Sequence, residues 1–449
     1  MLHLTRRLKS KDPGEPAFQQ CVDRFVRSVQ PILEQSPELQ RYALLERLVE
    51  PERTIIFRIP WMDDQGQVRV NRGYRVEMNS AVGPYKGGLR FHPDAGLDTF
   101  KCLAFEQVFT NSLTSMPLGG ARGGADFDPK GKSDDEVMRF CQSFMAELGR
   151  HIGPDIDIPE GGLGVGLREI GFLFGAYRKV HNEFSGVITG KGLGWGGSHI
   201  RLQAAGYGAA YFASEVLAAR GESLEGKRCL ISGSGNVALA AAEKIIDLGG
   251  RVLTLSDSSG SIFDPEGIDR SKLAYARRLK QIRRGRIGEY VEKYSEARYI
   301  EAEAFPYANP VWTHEADCAF PCAMENEIKA IDARNLLDNN IRLICEGADM
   351  PVAEEAFEVL LSGQVLLAPA KAATAGGVAV SCLEMAQNRM LLNWSAAEVD
   401  ERLRGVMAAI HRLCRDAAAE FNEPDNYVLG ANVAAFQRVL GAMQDQGVI

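Results

Sequence analysis

The sequence predicts an α/β protein of two domains, a mixed-sheet domain followed by a parallel sheet with helices on its faces. Three observations carry that prediction. The chain is 449 residues long, too long for one ordinary core at about 150 residues per domain. The glycine-dense stretch TGKGLGWGGSHIRLQAAGYG, from Thr189 to Gly208, reads as a loop that divides the chain, because clustered glycines interrupt helical and strand patterns alike. Beyond it the pattern becomes strand, helix, strand, the alternation that builds a parallel sheet.

Composition bounds the function. Hydrophobic residues make up 45% and charged residues 24%, the values of a globular chain. No window approaches the roughly 18 uninterrupted apolar residues of a membrane span. The opening MLHLTRRLKSKDPGEP lacks the apolar stretch of a secretory signal, so a cytoplasmic location without membrane attachment is expected. A net charge of −8 argues against nucleic acid as a partner, since its binders carry basic surfaces. The nine cysteines are scattered and read as buried thiols rather than a disulfide framework. Cys318 and Cys322 lack a matching second pair for zinc, and with no HExxH pair no metal is expected.

In chain order, 53–62 (RTIIFRIPWM) and 68–78 (VRVNRGYRVEM) read as strands from their β-branched and aromatic content. Ser133 and Glu136 form a capping box that opens a helix, with Val137, Phe140, Cys141, Phe144 and Leu148 at helical spacing. After the glycine-rich loop, 227–232 (KRCLIS) is a short buried strand, 239–248 a helix stopped by Gly249 and Gly250, and 251–256 (RVLTLS) the next strand. Ser395 and Glu398 cap a further helix, with Val399, Leu403, Val406, Ile410 and Leu413 on one face.

The turn Gly233-Ser234-Gly235-Asn236-Val237-Ala238 lies between the strand at 227–232 and the helix that follows. A glycine-rich turn alone is often only a tight connection. Inside a βαβ unit it reads as a dinucleotide site, because its glycines let the backbone approach a pyrophosphate that the helix N-terminus attracts. The next strand ends in Ser256-Asp257-Ser258-Ser259-Gly260. An acid there favours the ribose hydroxyls of NAD. The serines and the basic run Arg283, Arg284, Arg286 favour the extra phosphate of NADP, unless that run is simply a solvated helix end.

These motifs are shared with one family. The chain resembles the hexameric NADP-linked glutamate dehydrogenases of bacteria over essentially its whole length. The stretches that carry the resemblance are GPYKGGLRFHP (83–93), FEQVFTNSLT (105–114), DFDPKGKSDDEVMRFC (126–141), SGSGNVA (232–238), SDSSG (256–260), SCLEMAQN (381–388) and NYVLGANVAAF (426–436). The resemblance implies an N-terminal substrate domain over 1–199, a Rossmann-type dinucleotide-binding domain over 200–424, and a C-terminal helix in 425–449 that packs back on the first. It also implies NADP ahead of NAD, with Lys130 near the 2′-phosphate, a cleft that closes during turnover, and a homohexamer.

The family's reaction is the reversible oxidative deamination of L-glutamate to 2-oxoglutarate and ammonia. The resemblance assigns the distal carboxylate to Lys86 and Ser381, and Gln107 matches as well. Other site positions have changed. Thr110 stands where the family has the lysine for the α-carboxylate, Arg122 where it has its catalytic lysine, and Gly162 where it has its catalytic aspartate. Around the nicotinamide, Ala205 replaces a threonine, while Asp349 and Thr374 replace asparagines.

Arginine keeps the charge at 122 but cannot lose a proton near neutrality, and glycine offers no carboxylate. Losing positioned acid–base groups typically costs roughly 10²- to 10⁴-fold, which puts ordinary glutamate deamination in question. Glu160, two residues before Gly162, has two readings: a relocated proton carrier reaching the vacated space, if the segment is extended, or an inert ion pair with Arg122. Three functions follow: an NADP(H)-linked dehydrogenase acting on an altered amino acid/2-oxo acid pair, a catalytically impaired paralogue serving as a nucleotide-binding regulatory or assembly subunit, possible in mixed oligomers with an active relative, or an unaltered glutamate dehydrogenase.

Overall fold

The computed structural model describes residues 8–35, 43–305 and 307–448, so the first seven residues of the N-terminal stretch lie outside the described residues. The chain forms two compact units. The first comprises Met1–Arg201, Val380–Val399 and Asn432–Ile449, and the second Leu202–Ala379 and Asp400–Ala431. This differs from a single boundary at 200. Residues 380–399 belong to the first unit, because Glu384 accepts hydrogen bonds from the Gly190 and Lys191 amides at 3.1 and 3.3 Å. Residues 425–431 stay with the second unit.

The first unit is built on a five-stranded sheet of β1 (Arg53–Met62), β2 (Val68–Asn79), β3 (Tyr85–Phe91), β4 (Gly120–Ala125) and β5 (Asp157–Glu160), in the order β1-β2-β4-β3-β5. β1 and β2 match the sequence reading to within a residue and pair antiparallel, whereas β3 runs parallel to both β4 and β5. The sheet is mixed, as expected.

The longer helices of this part of the unit are α1 (Pro16–Ser28), α2 (Leu97–Leu113), α3 (Asp134–Leu148) and α4 (Leu167–His181). α2 lies directly on β4: a Cβ at Gly120 would come within 2.5 Å of the Val108 side chain. The Ser133 capping box forms as read, with Glu136 N donating to Ser133 Oγ at 3.1 Å and Ser133 N to the Glu136 carboxylate at 3.1 Å. The five apolar residues that follow are all buried, and Phe140 stacks on Phe127 at 3.7 Å.

Cys21 on α1 and Cys102 on α2 are joined in a disulfide, which corrects the reading of all cysteines as free thiols. Packing among Phe18, Phe25, Phe105 and Phe109 brings the two helices together, and their cysteine Cα atoms are 5.9 Å apart. The seven other cysteines are free.

Arg75 of β2 is fully buried and crosses beneath two strands to reach β5. Its Nε donates to Asp157 at 2.7 Å, a second bond runs from Nη2 to the same carboxylate, and Nη1 donates to the Gly87 carbonyl at 3.2 Å. Glycine leaves room for this crossing, since a Cβ at Gly123 would meet Arg75 Cδ at 2.9 Å.

The second unit holds a seven-stranded sheet in the order β12-β11-β10-β6-β7-β8-β9. Its strands are β6 (Arg228–Ile231), β7 (Arg251–Asp257), β8 (Gly260–Ile268), β9 (Arg298–Glu301), β10 (Cys318–Phe320), β11 (Leu343–Cys345) and β12 (Leu366–Ala368). β12, β11, β10, β6 and β7 are parallel, and β8 and β9 add an antiparallel edge that the sequence reading did not anticipate. Helices α5 (Ala204–Ala218), α6 (Asn236–Asp247) and α7 (Arg270–Gln281) belong here.

Three later helices pass from one unit to the other: α8 (Gly376–Met390), α9 (Ala396–Ala419) and α10 (Tyr427–Asp445). The buried stripe of α9 is Val399, Leu403, Met407, Ile410 and Cys414, whereas Leu413 is exposed and Val406 only half-buried. The expected stripe drifts off the packed face because its last steps follow the wrong mix of three- and four-residue spacings. The later part of α10 packs on the first unit, where Phe436 meets Phe25 and Asn432 donates to Ser28 Oγ at 2.8 Å.

Glu77 of β2 is fully buried. Burial, with Asp157 nearby, raises its pKa to about 7 although Arg53 lies 2.7 Å away. A carboxyl whose folded pKa is raised contributes stability that is complete below its ordinary value near 4.5 and lost as pH rises through the folded one. We expect urea unfolding to show about 2–3 kcal/mol of such loss between pH 4.5 and pH 8, and Glu77→Gln to abolish that component.

Candidate active site

The residues assigned to the substrate come together in the first unit. Lys86, on β3, is fully buried, and its Nζ makes one hydrogen bond, to Glu160 Oε2 at 2.6 Å. The same oxygen accepts from Arg201 Nη2 at 2.7 Å and from Thr189 Oγ1 at 3.5 Å. Thr189 shares a short hydrogen bond with the buried hydroxyl of Ser381. One carboxylate oxygen is thus the meeting point of two cations and the Thr189 hydroxyl, with the Ser381 hydroxyl behind it.

Glu160 is therefore held by Lys86, Arg201 and Thr189, where the sequence reading pairs it with Arg122. Parallel pairing sets Lys86 opposite Ile158 and Gly88 opposite Glu160, and the Glu160 side chain turns to the lysine. The expectation that Glu160 reaches the space of Gly162 fails. β5 ends at Glu160, and Gly162 lies in a turn where Gly162 N donates to Val165 O at 3.1 Å and Val165 N to Gly162 O at 2.9 Å. Alternation along an extended strand does not continue into a turn.

Charges follow the contacts. Burial opposes ionisation of Glu160, but Lys86 and then Arg201 outweigh it and hold the carboxyl well below the usual carboxylate range. Burial lowers the Lys86 pKa to about 8, although Glu160 works to raise it. A carboxylate held so low is a poor proton acceptor near neutrality.

The other positions read as substrate-binding or catalytic lie on β4 and α2. Arg122 lies on β4 opposite Val76, and its guanidinium sits over Gly88, where an added Cβ would fall 2.9 Å from Nη1. Gln107 is buried and donates to Asn111 Oδ1 at 2.6 Å, while Asn111 donates to the Lys86 carbonyl at 3.0 Å. Thr110 donates its hydroxyl to the Glu106 carbonyl at 3.2 Å, one turn back along α2.

Sequence reasoning missed Arg201, Thr189, Lys191 and Glu384. Lys191 and Glu384 form a fully buried ion pair at 2.8 Å, which ties the Gly190 loop to α8 and so sets Thr189 beside Ser381. The signal for all but Glu384 was present in the glycine-rich stretch, where cationic and hydroxyl residues alternate with glycine.

Apart from Lys130, the positions read as cofactor-binding lie in the other unit. Gly233 has φ +83°, a conformation that favours glycine, and its amide donates to Ser256 Oγ at 2.7 Å. Gly235 caps α6, and the space where its Cβ would stand is open. Ser234 is buried, Asn236 exposed and Val237 half-buried. A helix N-terminus beneath a glycine turn with room beside it suits a pyrophosphate.

Asp257 is turned inward. Its carboxylate accepts from Lys280 Nζ at 2.5 Å, Ile287 N at 2.8 Å, and Ser259 N and Oγ at 2.9 and 2.6 Å. Burial opposes its charge, but Lys280 and these donors bring the pKa down to about 2. Ser258 Oγ instead accepts from the exposed Arg286 at 2.9 Å. The loop therefore presents a hydroxyl and a guanidinium outward.

Ala205, on α5, lies within 3.5 Å of the position a Gly377 Cβ would take, Asp349 is exposed, and Thr374 donates its hydroxyl to the Ala370 carbonyl at 2.8 Å. Lys130, in the first unit, is exposed in a turn where its amide donates to Asp128 at 3.0 Å. Among the described residues no group of three or more His, Cys, Asp or Glu side chains could hold a metal, and no helix is long and apolar enough to cross a membrane.

Residues 196–447 match the Glutamate/Leucine/Phenylalanine/Valine dehydrogenase family, and residues 51–179 match the Glu/Leu/Phe/Val dehydrogenase dimerisation domain. The chain belongs to this family. It is 50% identical over 442 residues to an NADP-specific glutamate dehydrogenase of Giardia intestinalis, covering 98% of this chain and 97% of the relative. It is also 50% identical to an NADP-specific glutamate dehydrogenase of Helicobacter pylori, covering 98% of both. Among solved structures, the glutamate dehydrogenase of Plasmodium falciparum superposes with a TM-score of 0.96 at 43% identity, over 100% of this chain and 94% of that one.

The backbone at Gly162 leaves no room for a side chain. A Cβ there would fall 2.5 Å from the Leu89 carbonyl oxygen, so an aspartate enters only if the turn moves. We expect Gly162→Asp to lower stability by about 1–3 kcal/mol, read as a fall in Tm against wild type.

Proposed function

We propose that the chain is an NADP(H)-linked oxidoreductase acting on an amino acid/2-oxo acid pair, with a site altered away from ordinary L-glutamate deamination. The observation that carries this reading is the outward face of the dinucleotide loop. Asp257 spends its carboxylate on four internal donors, while Ser258 and Arg286 face outward. A phosphate on the adenosine ribose needs such donors and is repelled by a free carboxylate. The names of the relatives point the same way.

When bound, the nicotinamide supplies or accepts hydride. What the protein contributes is binding and charge. Gly233, Gly235 and the start of α6 suit the pyrophosphate, and Arg122 keeps a positive charge on β4. Glu160, held well below the usual carboxylate range, is a poor proton acceptor near neutrality, and Gly162 carries no side chain that could replace it. A homohexamer remains the assembly that the family resemblance implies.

A second reading, an impaired paralogue acting as a nucleotide-binding subunit, draws on a different observation. The hydroxyls at Thr110 and Thr374 are returned to their own helices rather than offered to a ligand. NADPH oxidation with ammonium and a panel of 2-oxo acids separates the two. Turnover with any of them supports the first, and NADPH binding with no turnover selects the second. For the cofactor itself, Arg286→Ala is expected to weaken NADPH binding about tenfold and leave NADH unchanged in a fluorescence titration. Equal loss for both cofactors would remove Arg286 from the phosphate site.

A further inference from the structure

The cluster around Glu160 has the composition of a carboxylate-binding site, and its occupant is part of the chain. Lys86 and Arg201 bring two positive charges, and Thr189 and Ser381 bring two hydroxyls. Lys86, Thr189 and Ser381 are all buried. Against them stands one carboxylate, which meets Lys86, Arg201 and Thr189 through a single oxygen. The donors are not exhausted by it: Lys86 Nζ makes one hydrogen bond, and Arg201 Nε is buried without an acceptor. A site with more buried donors and charge than its occupant satisfies is one that a free carboxylate can fill at least as well.

We propose that Glu160 is an internal carboxylate that fills this cradle and thereby sets substrate class: wild type excludes an acid bearing a second, distal carboxylate and accepts amino or 2-oxo acids whose side chain is uncharged. The claim about substrate rests on the proposed dehydrogenase function, whereas the claim that the cradle binds a carboxylate stands without it. A distal carboxylate entering beside Glu160 would set two like charges side by side in a buried space already filled by the Glu160 side chain, a repulsive selection against the wrong ligand.

Glu160→Ala removes the internal carboxylate and leaves a space of about the size of acetate beside Lys86 and Arg201. Thermal melts and calorimetric titrations with acetate and glutarate test this without relying on turnover. In wild type neither acid should shift Tm. In Glu160→Ala both should raise it, and glutarate should bind at least about tenfold more tightly than to wild type. Lys86→Met in the Glu160→Ala background should abolish the response. Glu160→Gln, which keeps the volume and removes the charge, should lose stability but gain no response to acetate, because its amide still fills the space.

If Glu160→Ala folds only when acetate or glutarate is present, that rescue supports the proposal. If it folds and ignores both acids, or fails to fold in their presence, the cradle takes no external carboxylate and the proposal falls. It falls equally if wild type binds glutarate as tightly as the variant. NADPH titration of the same proteins keeps the two readings apart. Loss of NADPH binding in wild type counts against the dehydrogenase function, and an absent carboxylate response with NADPH binding intact counts against Glu160 alone.

Discussion

A lysine with no solvent exposure keeps its charge only if an anion is held against it, and in the first unit that anion is Glu160. β5 is four residues long and carries an acid at each end. Asp157 meets the Arg75 guanidinium and Glu160 meets Lys86 and Arg201. So short an edge strand has few backbone hydrogen bonds, and two buried ionic contacts fix its position on β3. Breaking one partner of such a pair typically costs about 3–5 kcal/mol, because the other is left buried and uncompensated. The turn after β5 inherits this placement: Phe91 N donates to the Leu163 carbonyl at 2.8 Å, so the backbone around Gly162 is set by where Glu160 is anchored.

What was legible in the sequence was local. The capping box at Ser133, strands β1 and β2, and the strand–turn–helix around Gly233 depend on neighbours within a few residues, and each forms as read. The order β1-β2-β4-β3-β5 was not legible, because it is decided by which strand covers α2 and where Arg75 passes. The Cys21–Cys102 pair was missed for a similar reason: aromatic packing between α1 and α2 brings together residues that are 81 positions apart. Arg201 and Thr189 were passed over because the glycines around them marked the segment as a boundary. A stretch that reads as a boundary can also place buried side chains, and here Thr189 and Lys191 stand next to its glycines.

Glu160 shows how a sound rule fails at its edge. Alternation put residues 160 and 162 on one side, which holds only while the strand continues, and this strand stops at 160. The partner was then chosen from what lay near in the motif rather than across the sheet. In the parallel pairing, position 160 stands two rungs along β3 from Lys86, within reach of a glutamate side chain. Charge complementarity does the rest, since a buried cation selects the nearest carboxylate that can be desolvated with it.

The two sites use a carboxylate in opposite ways. In the dinucleotide loop, Asp257 is withdrawn into the protein by Lys280 and the Ile287 amide, so the negative charge that would repel a phosphate is neutralised from behind. Ser258 and Arg286 are left to set the preference. In the first unit, Glu160 is supplied to the pocket, and the cations that would otherwise draw a ligand are neutralised from within. Motif reading treats an acid as a group offered to a ligand, yet both acids are satisfied by the protein itself. With Glu160 held anionic by two cations, the group in this cluster whose protonation changes nearest neutral pH is Lys86, whose pKa burial brings down to about 8. It stays a cation toward Glu160 at neutral pH, so the first unit offers charge and shape for recognition through residues that the protein itself has already paired.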